Sequence, residues 1–433
     1  MNEFENGRQA VVLIHGMGNQ YPMETLRSFV KNLSTEDQII YSSPNRITED
    51  LELRRLSFDD KPFDFYEYYW AHHVKVPGMA DVLSWLFKLL FFKSPSNRLG
   101  KFVPILRGFV VLMSILIIWW LNHYEFKSEV TIFQVSIYGV GIYLLWKVIL
   151  PLLKGIFSET VLQYLGDVVR YTIASPENID TRDKIRKGAL DLLRKLHEQK
   201  SSSNPNKAKY GRIVVVAHSL GSIVAYDVMA SLFAEYNSVH GHITDTKILK
   251  QDALDENLKY IEKGNISSEK YMEHQLALFF EQNKLGNPWR ISDFITIGSP
   301  LTHGSFLLTK NEEDFKLKKE QREFPTCPPV IDLKDKHFAF HLDYISESGE
   351  KRTLKVLHHA AYFAATRWTN IYFKNDFIGG PVSLNFGPGI KDIQVLAKNS
   401  FIKSIPLASH THYWDKKNPE SMDAIREIIY GKE

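Results

Sequence analysis

The chain is short of several things that common functional classes require. It has one cysteine, Cys327, in 433 residues, which excludes an internal disulfide framework and leaves no thiolate cluster for a metal; a reducing compartment fits such a composition. It has no excess charge of one sign: 53 Lys and Arg stand against 50 Asp and Glu, a formal net charge of +3. A nucleic-acid binder carries a marked basic surplus, and a charged tail protein a block of one sign, so neither class fits. No internal repeat and no long low-complexity tract is present. The polar start, with Glu3 and Glu5 before Ala10, lacks the basic and apolar regions of a cleavable signal peptide. What is there is an ordinary globular mixture of 44% apolar and 24% charged residues, enough to bury a core, in a length that corresponds to roughly two or three domains. The mean hydropathy of −0.21 excludes a protein built mostly of membrane spans, although an average leaves room for one or two.

Three apolar runs of strand length each close in turn-forming residues. Residues 10–14 run into His15-Gly16-Met17-Gly18, residues 212–217 into His218-Ser219-Leu220-Gly221, and residues 294–297 into Gly298-Ser299-Pro300. Continuous runs of this kind mark strands buried on both faces. Residues 51–58 alternate as a half-buried strand does, 63–70 are aromatic-rich, and 368–373 and 402–405 add further strands. Helical patterns lie at 22–33, 182–199, 223–233, 358–367 and 421–430. The charged stretch 235–286 is expected to be helical, and the polar, proline-containing stretch 311–343 to be loop. Strands alternating with helices predict an α/β fold around a mainly parallel sheet.

The chemistry concentrates in Ala217-His218-Ser219-Leu220-Gly221. A sharp strand-to-helix turn lifts a serine hydroxyl to the top of a sheet, and small residues two positions to either side relieve the crowding. Gly221 is that residue on the helix side, and Ala217 replaces the commoner glycine on the strand side. The helix start beside Ser219 favours developing negative charge. An acyl-transfer site also needs two backbone N–H donors for its oxyanion, one from the residue after the nucleophile and one from the loop after an earlier strand. Leu220 and Met17 are the candidates, with Gly16 letting the backbone turn. Gly16-Met17-Gly18 does not make a dinucleotide loop, because position 21 is Tyr21, and no Lys-Ser or Lys-Thr follows it to complete a phosphate loop. The adjacent pairs His72-His73 and His358-His359 and the loop residues His240 and His242 lack metal-ligand spacing, so neither metal nor cofactor is expected. Asp293 precedes a strand and reads as a turn or packing residue, and Cys327 lacks a nucleophile's surroundings.

With these motifs the chain resembles the α/β-hydrolase fold superfamily, and within it the lipase and esterase branch. Four later segments resemble a group of bacterial lipase-like serine hydrolases: residues 291–301 through Gly298-Ser299-Pro300, His358-His359-Ala360-Ala361, residues 367–373, and Ser409-His410-Thr411-His412-Tyr413-Trp414. The resemblance covers most of the chain outside 74–158, and it implies a catalytic order of Ser, then Asp or Glu, then His. Asp376, directly after the strand 368–373 and before Gly379-Gly380-Pro381, matches the acid. His410 matches the base in the family's His-Thr-x-Tyr-Trp pattern, with His412 as the alternative. The implied chemistry is attack by Ser219 on an ester carbonyl while His410 takes its proton. Asp376 orients the imidazole, the N–H groups of Met17 and Leu220 hold the oxyanion, and water releases the acyl group.

Two apolar runs interrupt this pattern. Residues 101–121 carry only Lys101 and Arg107, and residues 130–153 only Lys147, each long enough for a span of about 20 residues. Trp119, Trp120, Tyr124 and Trp146 suit anchoring at the two interfaces, and residues 82–92, with Lys88 and Lys93, resemble an interfacial helix. Lys88, Lys93, Arg98, Lys101 and Arg107 lie on the side where the pair begins, and Lys147 and Lys154 on the same side at its end. The connecting loop sets Glu125 and Glu129 against Lys127. The positive-inside rule then keeps both ends on the cytoplasmic side. A buried cap over a soluble lipase, or an oligomer interface, is the alternative use of these runs.

The resulting expectation is an α/β-hydrolase fold with helices on both faces of its sheet, interrupted by a two-helix transmembrane or deeply monotopic hairpin. Residues 1–73 form its first part, and 74–158 the insertion (interfacial helix 79–93, apolar helices 102–121 and 130–153). Residues 159–433 form its second part. The expected activity is that of a membrane-anchored serine hydrolase cleaving a lipid or other amphiphilic ester (lipase, phospholipase or esterase). It would act at the cytoplasmic face, the inner membrane in a bacterium, with the bilayer as partner and no nucleic acid. The alternatives are an acyl-protein thioesterase or acyltransferase with the same triad, and, from another class, a non-catalytic membrane-bound binding or assembly module.

Overall fold

The computed structural model describes residues 7–16, 21–35, 37–47, 53–73, 178–240, 250–332, 336–345, 349–376, 378–396, 410, 412–414 and 419–431, with isolated positions between 104 and 176. The chain divides into two units, residues 1–73 with 179–433, and residues 74–178. The expected hairpin at 102–121 and 130–153 and its interfacial helix at 79–93 lie, isolated positions apart, outside the described residues, as does the strand expected at 402–405. Among the described residues no helix is long and apolar enough to cross a membrane.

In chain order the elements are β1 (Arg8–Ile14), α1 (Glu24–Leu33), β2 (Ile40–Pro44), β3 (Arg54–Phe58), β4 (Phe63–Tyr68), α2 (Ile179–Glu198), β5 (Tyr210–His218) and α3 (Gly221–His240). They continue with α4 (Asp252–Glu262), α5 (Ser268–Lys284), β6 (Ile291–Ile297), α6 (Glu312–Glu320), β7 (Ala339–Ile345), β8 (Lys351–Leu357), β9 (Arg367–Phe373), β10 (Lys391–Val395) and α7 (Pro419–Tyr430). Among the described residues the main sheet has the order β10-β9-β6-β5-β1-β4-β3-β2. Its first six strands run parallel, β10 through β4, and β3 and β2 add an antiparallel edge. β7 and β8 form a separate antiparallel hairpin. The chain starts in mid-sheet at β1, fills one side with β2–β4, and returns to β1's other side with β5. The order therefore reverses between β1 and β5, and the crevice beyond their carboxyl ends is where such sheets bind and react.

Alternate residues of the central strands explain why their sequences are apolar throughout. Val11 and Leu13, Val214 and Val216, Ile295 and Ile297, Ile371 and Phe373 share one layer with Leu26, Phe29 and Val30 of α1 and Ile425 and Ile429 of α7. The other face is covered by α3, which packs on β5 and β1 and is backed by α2. A strand with helices on both sides has no solvent face to spend on polar residues.

Some sequence expectations are corrected. Residues 358–367 hold only a 3-10 turn, Tyr362–Ala364: residues 360–365 are all buried, leaving no polar side for a helix to turn outward. The stretch 311–343 is not all loop. α6 within it is set by charge placement rather than periodicity, since the Asn311 side chain accepts the Asp314 N–H, acids fill the first turn and lysines the last. β2, β7 and β10 escape a search for apolar runs because they are largely exposed or half-exposed. Asp293 lies inside β6 rather than before it. There it is buried between Arg212 at 2.7 Å and Arg367 at 2.8 Å, and Arg212 also donates to the Ile428 and Ile429 carbonyls near the end of α7. Burial alone would push the Asp293 carboxyl up; the two guanidiniums outweigh it and hold it at about 2.

Glu67, at the end of β4, is buried and accepts the Met23 N–H at 2.7 Å just ahead of α1. Burial pushes its carboxyl from 4.5 up to about 7, against the opposing backbone hydrogen bonds from Met23 and Leu26. Because the folded value lies above the unfolded one, the contribution is fully present below pH 4.5 and is lost as pH rises through about 7. The melting temperature of Glu67→Gln should therefore gain on that of wild type between pH 5 and pH 8. A gap independent of pH would refute the assignment.

Candidate active site

β5 delivers Ser219 into a conformation that L-residues avoid. Its φ is +52°, a left-handed value that costs about 1–2 kcal/mol and persists because the neighbours over-determine it. The Ser219 N–H continues the sheet ladder to the Ile297 carbonyl at 3.0 Å, and its carbonyl accepts the Ser222 hydroxyl at 2.6 Å. The turn also requires two glycines. A Cβ on Gly221 would lie 2.4 Å from the carbonyl oxygens of Ile14 and His15, and one on Gly16 would lie 2.7 Å from the Ser219 Cβ. The end of β1 thus presses directly against the serine turn.

His410 connects this turn to the acid. Its Nε2 is 2.8 Å from Ser219 Oγ and its Nδ1 is 2.8 Å from Asp376 Oδ2. A carboxylate only accepts, so Nδ1 carries the proton and Nε2 is free to accept the serine hydrogen. Asp376 is aimed by the turn that ends β9, where its own N–H bonds to the Phe373 carbonyl at 3.1 Å. Its Oδ1 accepts the Ile378 N–H at 2.8 Å. Burial alone would raise the Asp376 carboxyl, but His410, the Tyr413 hydroxyl and the Gly379 N–H together hold it below the usual range. Ser219, Asp376 and His410 are all buried. His410, not His412, is the histidine that bridges serine and carboxylate. Leu220 sits buried behind Ser219 at the head of α3, whereas Met17, the other proposed oxyanion donor, lies outside the described residues.

Several supporting residues lie within the quoted motifs, where the sequence assigns them no part in the site. Tyr413 donates its hydroxyl to Asp376 Oδ2 at 2.7 Å and accepts the Phe373 N–H at 2.9 Å, tying the acid to the end of β9. Its position three residues after His410 is the one clue available. Gly298 packs under His410 and Asp376, where a Cβ would lie 3.0 Å from His410 Cε1 and 3.1 Å from Asp376 Oδ2. His15 donates Nδ1–H to the Gly16 carbonyl at 2.6 Å and accepts the Trp70 N–H at 3.1 Å; burial pushes it down to about 4, so it stays neutral and braces the loop after β1. Among the described residues no group of three or more His, Cys, Asp or Glu residues is placed to hold a metal ion. Cys327 is buried and its thiol pushed up by that burial.

Tyr413→Phe removes a donor from the Asp376 carboxylate and leaves the buried Phe373 N–H without its acceptor. It should slow labelling of Ser219 by a fluorophosphonate roughly tenfold through loss of alignment and cost about 1–3 kcal/mol in denaturant unfolding. An unchanged labelling rate would show that the hydroxyl does not serve the acid.

No family model matches the chain, and no solved structure matches it. It is similar to "Phospholipase DDHD1" of Bos taurus, with 28% identity over 129 residues. The matched stretch is 28% of this chain and 14% of that protein, so the likeness spans about a seventh of the relative's length.

Proposed function

We propose that the protein is a serine hydrolase that cleaves a carboxylic ester, with Ser219 as nucleophile, His410 as base and Asp376 as acid. The observation that carries this is the unbroken hydrogen-bonded series from Ser219 Oγ through both ring nitrogens of His410 to Asp376, at the carboxyl ends of β5 and β9. As Oγ bonds to the ester carbon, its proton passes to His410 Nε2, and the imidazolium is held by Asp376. The oxyanion faces the N–H of Leu220, with Met17 proposed as second donor. Collapse expels the alcohol, which takes the proton from His410. Water then repeats the sequence on the acyl-enzyme and releases the acid.

A lipid is the substrate class we favour. Support comes from the similarity to a protein named a phospholipase and from the two apolar runs, 101–121 and 130–153. In this proposal those runs anchor the enzyme in a bilayer as a spanning or deeply inserted hairpin, and the flanking lysines and arginines keep the hydrolase unit on the cytoplasmic side.

A fluorophosphonate should label wild type and not Ser219→Ala. Asp376→Asn and His410→Ala should each lower turnover of a short-chain ester by about 10³–10⁴-fold, while His412→Ala keeps most of it; the opposite result for the two histidines would move the base to His412. Hydrolysis of phospholipid over acyl thioester, assayed in detergent, should mark the lipid preference. In membranes from an expressing cell the protein should resist carbonate extraction, and quantitative release would refute insertion.

A further inference from the structure

We propose that His218 is a positioning residue for the base: it holds the main chain of His410, so that one dipeptide, His218-Ser219, grips the catalytic histidine at two points. The inference rests on the hydrolase reading and adds to it a residue outside the Ser-His-Asp series.

A general base must keep its ring nitrogen within a few tenths of an ångström of the proton it takes. Asp376 secures one edge of the His410 ring, but a ring can pivot about a loose backbone. The His410 carbonyl is held by His218, whose Nε2 lies 3.0 Å from it. A carbonyl only accepts, so Nε2 is the protonated nitrogen. The two rings also lie against each other, with centroids 5.0 Å apart and planes 28° from parallel. The edges of Tyr413 and Trp414 close around His218 at 5.8 and 5.3 Å. His218 is the last residue of β5, and the next residue is the nucleophile. The distance from Ser219 Oγ to the base is therefore set by two contacts that leave the same strand end.

Two further features mark the choice of histidine here. Among the described residues its buried Nδ1 has no hydrogen-bond partner, and it lies near Gly16, where a Cβ would come within 3.0 Å of it. An apolar side chain would fill the same space without an orphaned acceptor, but it would also lack the Nε2–H donor. The ring is also uncharged: burial, and next the neighbouring His410, push the imidazole down to about 3. It thus adds no like charge beside a base that becomes cationic as Ser219 attacks.

The test compares His218→Leu, which removes the donor, with His218→Gln, whose amide nitrogen occupies a place close to that of Nε2. Labelling of Ser219 by a fluorophosphonate needs no knowledge of the natural substrate, and its rate is resolved into a reversible binding constant and a bond-forming rate constant. His218→Leu should lower the bond-forming constant by about 10- to 100-fold with binding changed less than about twofold. His218→Gln should recover most of the loss. Labelling of His218→Leu at the wild-type rate, or a Gln variant as slow as the Leu variant, would overturn the proposal. If the Leu variant does not fold, His218→Asn replaces it: its amide is too short to reach the carbonyl, so it should be slow where Gln is fast, and equal rates for Asn and Gln would overturn the proposal as well. Failure of wild type itself to label would remove the hydrolase reading instead, which separates the two failures.

Discussion

At the head of β1 and β5 two stretches of backbone meet more closely than side chains allow. The parallel register places Ile14 beside Ala217, so the residues that follow the two strands face each other. Gly16 then lies against Ser219, and Gly221 against the carbonyls of Ile14 and His15. Ser219 is forced into the left-handed region at this junction. That one steric constraint accounts for the direction of the serine hydroxyl, toward His410, for the start of α3 at Gly221, and for the position of His15-Gly16 as its neighbour.

Charge is distributed along the sheet in a way that protects this junction. Near the amino ends of the strands buried carboxylates are ion-paired: Asp64 with the half-exposed Arg8, and Asp293 with Arg212 and Arg367. At the carboxyl ends, around Ser219, the buried imidazoles of His15 and His218 are pushed far below neutrality and stay uncharged. The carboxylate there is Asp376, held as an anion by hydrogen bonds from His410, Tyr413 and backbone N–H groups. In a low-dielectric interior a buried carboxylate acts strongly on the imidazole it touches.

Much of this arrangement was legible in the linear sequence. The apolar runs at 10–14, 212–217 and 294–297 show strands buried on both faces, because a central parallel strand has no solvent side. The serine turn is legible because sterics demand small residues at fixed spacing around it, and Asp376 because one carboxylate directly follows β9. α6 and the strands at the sheet edges and in the β7–β8 hairpin were not, since charge placement and pairing partners set them rather than periodicity.

The sequence by itself determined the strand-turn-helix that presents Ser219, the α/β class, and the set of groups from which a proton-relay series can be drawn. Only the tertiary structure decided which histidine joins it. His410 and His412 share one short segment, and in the sequence only the resemblance of His-Thr-x-Tyr-Trp to a family pattern favours His410. The choice follows from where a chain 191 residues downstream of Ser219 returns to the end of β5. The contacts of His218, Gly298 and Tyr413 with this site arise in the same way. A hydrogen bond or a missing Cβ has meaning only against a neighbour, and neighbours distant in sequence are assigned by the packing of the whole sheet.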